Sequence, residues 1–215
     1  MSAKDIIFKP ISSKIANEFV KKHHYSGKVV QNSQLHFGVF YQNQLGGVMS
    51  YWPSTDKSKL IDLVVGTKWN EFIELNRMAF SDFLPRNSES RAISVSFRLL
   101  KKYAPHIRWV ISFADGCQCW DGTIYRASGF DLSGIKKNTT IRKDIDWKTY
   151  SDISITAHKP DKIRDFKKME IIPGFMLRYI KILRKEDEKF RNYPVLPYSK
   201  IQEIGAKMYK GKKQQ

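Results

Sequence analysis

The sequence predicts an α/β fold, a mixed central β-sheet flanked by helices, with a basic insertion and a C-terminal tail. Short apolar runs rich in β-branched and aromatic residues alternate with segments whose apolar residues recur at helical spacing. Up to residue 130 the predicted order is β, α, hairpin, β, α, β, α. The 215 residues are enough for one such domain with a substantial core.

The first part of the chain predicts a strand, a helix and a hairpin. Residues 6–8 form a short apolar strand, and Ser12 or Ser13 can cap the helix that follows. The apolar positions of that helix are Ile15, Ala16, Phe19 and Val20. Residues 35–41 and 47–51 flank a polar tip, which is typical of a hairpin.

The middle of the chain predicts the remaining core elements. Residues 72–80 form the next strand, and residues 87–103 form the clearest helix, with one apolar and one basic side. Residues 110–113 form an apolar strand that ends just before Asp115, and a further helix follows. Residues 175–183 predict a final strand.

The chain is strongly basic. Its 38 Lys and Arg residues against 21 Asp and Glu give a formal net charge of +17, well above what solubility requires of a domain this size. A nucleic-acid partner explains this charge, and a ribosome-associated or simply basic protein is the alternative. We interpret residues 131–170 as a basic insertion that contacts DNA, and residues 206–215 as a flexible basic tail after a single domain, 1–205.

Cysteine content and hydropathy predict an intracellular protein. Cys117 and Cys119 are too close in sequence for an ordinary structural disulfide, which fits a reducing cytosol. The N-terminus lacks a signal-peptide core, and no run reaches the roughly 20 apolar residues of a membrane helix. We therefore expect a cytoplasmic protein that does not engage a membrane.

Four motifs occur in order along the chain. They are HHYS at 23–26, ELNRMAF at 74–80, PRNSESRAIS at 85–94, and ISFAD at 111–115 followed by GTIYRASGF at 122–130. Together they resemble the phage Mom family of DNA adenine-modification proteins, with a weaker continuation in GFMLRYIKIL at 174–183. The resemblance covers residues 10–130 best.

The resemblance implies a fold, a reaction and a partner. The fold is the acyl-CoA-dependent N-acetyltransferase (GNAT) superfold, and the reaction adds a small carbamoylmethyl-type group to the N6 amine of adenine in DNA. Phage DNA modified in this way resists host restriction. Chemistry on a base edge inside a duplex requires extrusion of that base or a single-stranded substrate, and the expected partner is double-stranded DNA with a flipped adenine. A homodimer is an option that the sequence leaves open.

The candidate catalytic residues lie in two of these motifs and beside a strand end. By resemblance, His24 and Tyr25 belong to the active site, with His24 a general base or a metal ligand. Asp115 is the first acid beyond a buried strand, where α/β proteins usually bind ligands, although it can instead cap a helix. Tyr125 matches a leaving-group acid of the acetyltransferase superfold, and its alternative is a half-buried helix aromatic.

The candidate cofactor is acetyl-CoA or another acyl-CoA, held at the start of the 87–103 helix. Free amide groups and the dipole make a helix N-terminus a favourable site for a diphosphate. The superfold usually has a glycine-containing pattern here, and aligning Asn87 with its first position puts Ser90 where the glycine belongs. Arg86 and Ser88 complete this candidate site, and a serine-capped structural helix is the alternative.

Arg77 is a candidate for the same cofactor or for DNA. A guanidinium on an otherwise apolar strand can pair with a phosphate. Because a buried arginine needs a partner in any case, an internal pair with Glu74 or Asp115 is the alternative.

The candidate DNA contacts are basic side chains on the 87–103 helix, in the insertion and near the final strand, although an exposed basic helix face is more often just solvated. They are Arg91, Arg98, Lys136, Lys137, Arg142 and Arg178.

Three alternatives stay open. An iron or zinc site near His24, Asp115 and the cysteines is conceivable, but the spacing matches no standard zinc pattern, so we assign no metal ligands. The other two concern function: an N-acetyltransferase of protein or RNA, or a non-catalytic DNA-binding module on the same fold.

Overall fold

The chain divides into two compact units. The computed structural model describes residues 2–24, 27–54, 56–115, 122–139, 141–143, 149–151, 168–172, 174–205, 208–209 and 212–213. The first unit spans residues 1–113, 123–133 and 178–196, and the second spans 114–122, 134–177 and 197–215. The sequence predicted a single domain over 1–205, so this division is a finding of the structure.

A seven-stranded mixed sheet is the centre of the fold. In chain order its strands are β1 (Ile7–Pro10), β2 (Leu35–Tyr41), β3 (Gln44–Trp52), β4 (Phe72–Phe80), β5 (Trp109–Asp115), β6 (Asp131–Asn138) and β10 (Gly174–Ile182). The spatial order is β1-β2-β3-β4-β5-β10-β6. β1 to β4 pair antiparallel, whereas β4 and β5 pair parallel. The predicted mixed α/β sheet is therefore confirmed.

The β2–β3 hairpin turns at the predicted polar tip. Gln42 and Asn43 have φ values of 49° and 61°, in the left-handed region. Such φ values at both central residues are those of the tight turns that match the twist of a hairpin, and asparagine tolerates them better than most residues.

Five helices are described, namely α1 (Ser13–His23), α2 (Lys57–Leu60), α3 (Ser88–Tyr103), α4 (Thr123–Ala127) and α5 (Ser199–Glu203). The Ser12 hydroxyl accepts a hydrogen bond from the Ile15 N–H and so caps α1 as predicted. Phe130 N–H donates to Tyr125 O at 3.0 Å and closes α4, with Gly129 at φ +70° at this end. None of the helices within the described residues is long and apolar enough to cross a bilayer.

α1 and α3 cover opposite faces of the sheet. Ala16 and Val20 of α1 pack with Val48 of β3 in one buried cluster. Tyr51, three residues further along β3, instead hydrogen-bonds to Ser96 of α3 at 2.6 Å. Because successive residues of a strand point to opposite faces, Val48 and Ser50 face α1 while Tyr51 faces α3.

A second apolar cluster fills the sheet near the start of β4 and β5. Phe72 and Trp109 stack with ring centroids 4.2 Å apart. The cluster comprises Leu60, Val64, Phe72, Trp109, Ile111, Ile180, Ile182 and Tyr193. Its aromatic and branched side chains are those expected to dominate core energetics.

Two segments of the second half of the chain, which the sequence predicts as a basic insertion and a basic tail, contain β-strands. The supposed insertion at 131–170 begins with Asp131–Asn138, which is strand β6 of the central sheet. Its later described residues form a small sheet of β7 (Ile141–Lys143), β8 (Thr149–Ser151) and β9 (Glu170–Ile171). Within the tail, β11 (Met208–Tyr209) pairs with β12 (Lys212–Lys213). The strands within 131–170 form by backbone pairing in a segment that is basic and short of apolar periodicity.

Candidate functional site

β4 loses its pairing with β5 partway along its length. The two strands pair from Phe72↔Trp109 to Leu75↔Ser112, and β4 then continues to Phe80. On its other side β4 contains a β-bulge, because Ser50 pairs with Arg77 whereas the next residue of β3 pairs with Leu75. Asn76 is thus the extra residue. Bulges bend a strand and often re-aim side chains beside active sites.

Tyr125 reaches the point where β4 and β5 separate. Its hydroxyl lies 3.1 Å from the Ser112 hydroxyl, which in turn is 2.9 Å from the Leu75 carbonyl. The Ser112 hydroxyl is placed to donate to the Leu75 carbonyl and to the Tyr125 hydroxyl, and with its single proton it donates to one of them at a time. The predicted catalytic tyrosine therefore ends a short chain of hydroxyls on the last paired residues.

Aromatic neighbours fix the Tyr125 ring. It stacks on Tyr179 with centroids 4.2 Å apart and an interplanar angle of 6°, and Phe130 contacts it edge-on at 5.3 Å. Stacked and edge-on contacts hold an aromatic side chain in one orientation. The position of the hydroxyl is consequently set by these two neighbouring rings as well as by Ser112.

A pocket of about 320 Å³ opens between the β4–α3 connection and α4. Of the predicted cofactor residues, Arg86, Asn87 and Ser90 line it. Ser88 does not, because it is fully buried and its hydroxyl donates to Pro85 O at 2.6 Å. Ser88 therefore closes the turn that enters α3, and the other three residues face the pocket.

The N-terminus of α3 carries Ser90 at the position where the superfold usually has glycine. Asn87 adopts φ +70° at the N-cap, a conformation in which glycine is most common and asparagine tolerated. The Ser90 hydroxyl turns back to Asn87 O at 3.2 Å, and the first helical bond runs from Arg91 N–H to the same carbonyl. The N–H groups of Glu89 and Ser90 precede that bond, so they are among the donors a helix leaves for a ligand.

The charges at this pocket are mixed. Arg86 lines it together with two carboxylates, Asp82 and Glu89. Glu89 lies in the first turn of α3, where its negative charge interacts favourably with the positive end of the helix dipole. The pocket thus combines one guanidinium and helix amides, which suit a diphosphate, with two acids that weaken its hold on one.

On the α1 face, His24 lies close enough to Arg77 for the guanidinium charge to act on its imidazole. His24 follows α1 as its C-cap, with its N–H donating to Val20 O at 2.9 Å. Burial, and secondly the charge of Arg77, lower the pKa of His24 to about 4. The imidazole is therefore neutral at physiological pH. Its neighbour His23 is exposed and stacks on Phe19 at 4.2 Å.

Arg77 is tied to the chain around it. Its Nε donates to Lys28 O at 3.0 Å, and its Nη1 donates to Asn76 O at 2.8 Å. The charge of Arg77 also acts on Glu74. Burial raises the pKa of Glu74, and this rise is opposed by a hydrogen bond from Ser54 and by the Arg77 guanidinium. Of the two internal partners expected for Arg77, Glu74 is thus near enough to interact with it.

The predicted DNA-contact residues fall into two groups. Arg91 and Arg98 on α3 are exposed, and so are Lys136 and Lys137 near the end of β6. The other two residues are engaged within the protein. Arg142 donates to Met169 O at 3.3 Å within the second unit, and Arg178 donates hydrogen bonds to Ser133. Its Nε donates to Ser133 Oγ at 2.9 Å and its Nη2 to Ser133 O at 3.0 Å, so Arg178 fastens β10 to β6.

Of the remaining candidates, the structure describes Asp115 but not Tyr25 or the two cysteines. Asp115 is the last residue of β5, half-buried, and belongs to the second unit. Tyr25, Cys117 and Cys119 lie outside the described residues. In the part of the chain that the structure describes, no three His, Cys, Asp or Glu side chains group as a metal site.

Sequence reasoning missed the polar residues that support these candidates. Ser112, His36 and Asn76 each stand in an apolar or motif-bearing strand, and all three take part in hydrogen bonds at the site. A lone polar residue within an apolar run was the available signal, because a buried polar group needs a partner.

Comparison with known proteins gives a family and a fold. The model of the Mom protein family matches residues 5–200. Methylcarbamoylase mom of Escherichia phage Mu is 34% identical over 207 residues, which cover 92% of this chain and 85% of that protein.

Two solved structures share the fold at low identity. An N-acetyltransferase from Staphylococcus aureus Mu50 has a TM-score of 0.52 and 8% identity, covering 83% of this chain and 99% of that one. The ribosomal-protein-S18-alanine N-acetyltransferase from Escherichia coli has a TM-score of 0.51 and 9% identity, covering 83% and 94%. The predicted acetyltransferase-like fold is therefore confirmed.

Proposed function

The chain belongs to the Mom protein family, and we propose on that basis that it is a transferase that modifies DNA. It adds a small carbamoylmethyl-type group to the N6 amine of adenine, which protects phage DNA from host restriction. The observation that carries the proposal is the 34% identity to a methylcarbamoylase over 92% of the chain. The positions of Tyr125 and His24 support a transfer reaction over a purely DNA-binding role.

Tyr125 is suited to the leaving-group side of the reaction. Its hydroxyl stands where β4 and β5 separate, held by Ser112 and by packed rings. A positioned acid contributes roughly 100- to 10,000-fold to a rate when it protonates a leaving group in the transition state. Tyr125 gives its proton to the group that leaves as the bond to the transferred carbon breaks.

His24 is suited to the amine side. The N6 amine of adenine is a poor nucleophile because its lone pair is delocalised into the ring. Once N6 bonds to the incoming carbon, it carries positive charge and its proton becomes strongly acidic. A neutral imidazole with a pKa of about 4 can accept that proton. The new N–C bond forms at N6, the proton passes to His24, and solvent restores both residues.

The donor in this proposal is a CoA-type carrier that holds the carbamoylmethyl group through its CH2 carbon, because transfer from the thioester carbonyl of an acyl-CoA would leave an acyl group on N6. The bond between that CH2 carbon and the carrier breaks as the bond to N6 forms. The residues at the α3 pocket fit its diphosphate, since Arg86, Glu89 and Ser90 line one space of about 320 Å³ and the first amides of a helix and a guanidinium are groups that bind phosphate. A bound carrier of this kind supplies an activated carbon and a good leaving group. Asp82 and Glu89 make this a site for modest affinity.

DNA is the partner in this proposal, with the target adenine turned out of the duplex. The +17 charge supports phosphate binding. Adenine inside a stacked duplex does not expose its amine to a pocket, so a flipped base is required. Asp115 remains a candidate for orienting the amine.

Mass spectrometry of nucleosides tests the function. The wild-type chain and Asp115→Ala are expressed in a bacterium, and genomic DNA is digested to nucleosides. We expect deoxyadenosine that is heavier by one carbamoylmethyl group with wild type, no such product with Asp115→Ala, and DNA binding retained by both. Unmodified deoxyadenosine in cells that contain soluble wild-type protein contradicts the proposal.

A further inference from the structure

A buried histidine lies outside the proposed reaction and outside the family motifs. His36 on β2 is 3% exposed, and both of its ring nitrogens are used. Nε2 is 3.0 Å from Ser33 O and Nδ1 is 2.8 Å from Ser50 Oγ. Because a carbonyl only accepts, Nε2 carries the proton, and Nδ1 accepts from the Ser50 hydroxyl.

The contact to Ser33 continues across the sheet. The Ser33 hydroxyl donates to Asn76 Oδ1 at 3.0 Å, so the same residue is bound to β2 through its carbonyl and to β4 through its side chain. Ser33 is 8% exposed. The result is a chain of buried polar groups running from Ser50 through His36 and Ser33 to Asn76.

The chain ends at the bulge of β4, beside Arg77. Cross-strand register puts His36, Ser50 and Arg77 in one row on β2, β3 and β4. The loop at residues 27–34, between α1 and β2, is thereby held at two points. Arg77 binds it through Lys28 O, and Asn76 and His36 bind it through Ser33. The first residue of this loop is bound to His24, since Gly27 N–H donates to His24 O at 2.8 Å.

We propose that His36 is a positioning residue, which holds the 27–34 loop against β4 and so keeps His24 and Arg77 in their reactive arrangement. This rests on the proposed function as far as the reaction is concerned. A buried polar chain whose members are all satisfied fixes one geometry, whereas an apolar side chain at position 36 leaves Ser33 O and the Ser50 hydroxyl without partners. His36 touches no reacting atom and acts only through the loop.

Two substitutions at this position separate positioning from simple core packing. In His36→Gln the amide nitrogen reaches about as far as Nε2 and retains the bond to Ser33 O. In His36→Asn the shorter amide reaches only as far as Nδ1 and loses it. Ser33→Ala removes the bond to Asn76 alone and is the variant to use should His36→Asn fail to fold. Ser94→Ala, an exposed serine of α3, is the matched control.

Amide hydrogen exchange is measured over residues 24–34, where Gly27 and Ser33 N–H donate to His24 O and Val30 O. We expect exchange at least ten-fold faster in His36→Asn and Ser33→Ala, and near wild-type exchange in His36→Gln and Ser94→Ala. Exchange in α3 should stay unchanged in all four. Adenine modification in cells should fall in the first two variants and be retained in the other two.

Three results overturn the proposal. They are unchanged loop exchange in the two disrupted variants, equal loosening of the loop and α3, and full modification despite a loosened loop. Unmodified adenine in DNA from cells that express the wild-type protein instead counts against the proposed function. The exchange rates then still test whether His36 holds the loop.

Discussion

The two faces of the central sheet carry polar groups of different kinds. On the α1 face, His36 binds the Ser33 carbonyl, and Arg77 binds the carbonyls of Lys28 and Asn76. On the α3 face, hydroxyls bind one another among aromatic rings, as in Tyr51 with Ser96 and Tyr125 with Ser112. The α1 face therefore carries the positive charge of Arg77 and binds the 27–34 loop. The α3 face carries uncharged hydroxyl groups.

This difference suggests a division of labour in the proposed transfer. Burial and the neighbouring cation disfavour the protonated imidazole, so His24 is neutral and can act only as a proton acceptor. A tyrosine is uncharged until it gives up its proton, and the packed rings and Ser112 hold the Tyr125 hydroxyl in one place. We infer that the α1 face serves the amine and the α3 face serves the leaving group, and the predictions below test each face in turn.

The largest effect is expected on the α3 face, from Tyr125→Phe. The stacking on Tyr179 and Phe130 is kept and only the hydroxyl is lost, so folding should change little. Modification of adenine should fall by about 100-fold or more, the usual contribution of a general acid. Nucleoside mass spectrometry measures the product, and thermal unfolding checks the fold.

Tyr103→Phe is the matched control, since Tyr103 is 71% exposed at the end of α3. Near wild-type modification by Tyr125→Phe would remove the α3 face from the reaction.

On the α1 face, Arg77→Lys should have the next largest effect. A lysine keeps the charge but lacks the planar group whose Nε and Nη1 donate to Lys28 O and Asn76 O at once. We expect modification to fall roughly ten-fold and unfolding free energy to drop by about 1–3 kcal/mol. Chemical denaturation and nucleoside analysis measure the two effects, with exposed Arg98→Lys as control. Arg98→Lys losing as much as Arg77→Lys would contradict this account.

The titration of His24 gives a smaller, pH-dependent effect. Its pKa is lowered from 6.5 to about 4 in the folded protein. As pH falls from 6.5 to 4, the unfolded chain binds a proton that the folded chain refuses, so stability declines across this window. His24→Gln should flatten that decline, measured by urea unfolding at several pH values. In Arg77→Gln, NMR titration should find the His24 pKa higher yet still below 6.5, because burial is the larger cause.

The smallest effect concerns the outer surface of α3. Arg91 and Arg98 are exposed, and Arg91→Gln with Arg98→Gln removes two candidate phosphate contacts. If DNA lies along α3, its affinity should fall several-fold and the salt dependence should flatten by about one counterion per arginine. Fluorescence anisotropy over a salt series measures both. An unchanged slope would place the DNA on another surface.

Periodicity and motifs predicted most of the sheet and both long helices. The residues 72–80 and 35–41 match β4 and β2, and α3 begins one residue after the predicted start. The strand β6 was missed because its lysines and glycine obscure the alternation that marks a half-buried strand. Its place in the sheet comes from pairing with a strand distant in the chain.

The candidate site was predicted less evenly. The motifs HHYS and ELNR singled out His24 and Arg77 separately, and the electrostatic effect of Arg77 on His24 is a finding of the structure. The bulge at Asn76, which places these side chains, depends on the register between β3 and β4 and has no signature in the sequence. The same holds for the hydroxyls of Ser112 and Tyr125, which meet only because β4 and β5 pair up to Leu75.

The most direct test of the two-face account is nucleoside mass spectrometry on DNA from cells that express His24→Gln, Tyr125→Phe and the double variant. Residues that act on one transfer as a unit are not additive. We predict that each single variant loses about 100-fold or more of the modified adenine, and that the double variant is no worse than the poorer single one. Wild-type levels of modified adenine in either single variant, at equal amounts of folded protein, would contradict the account.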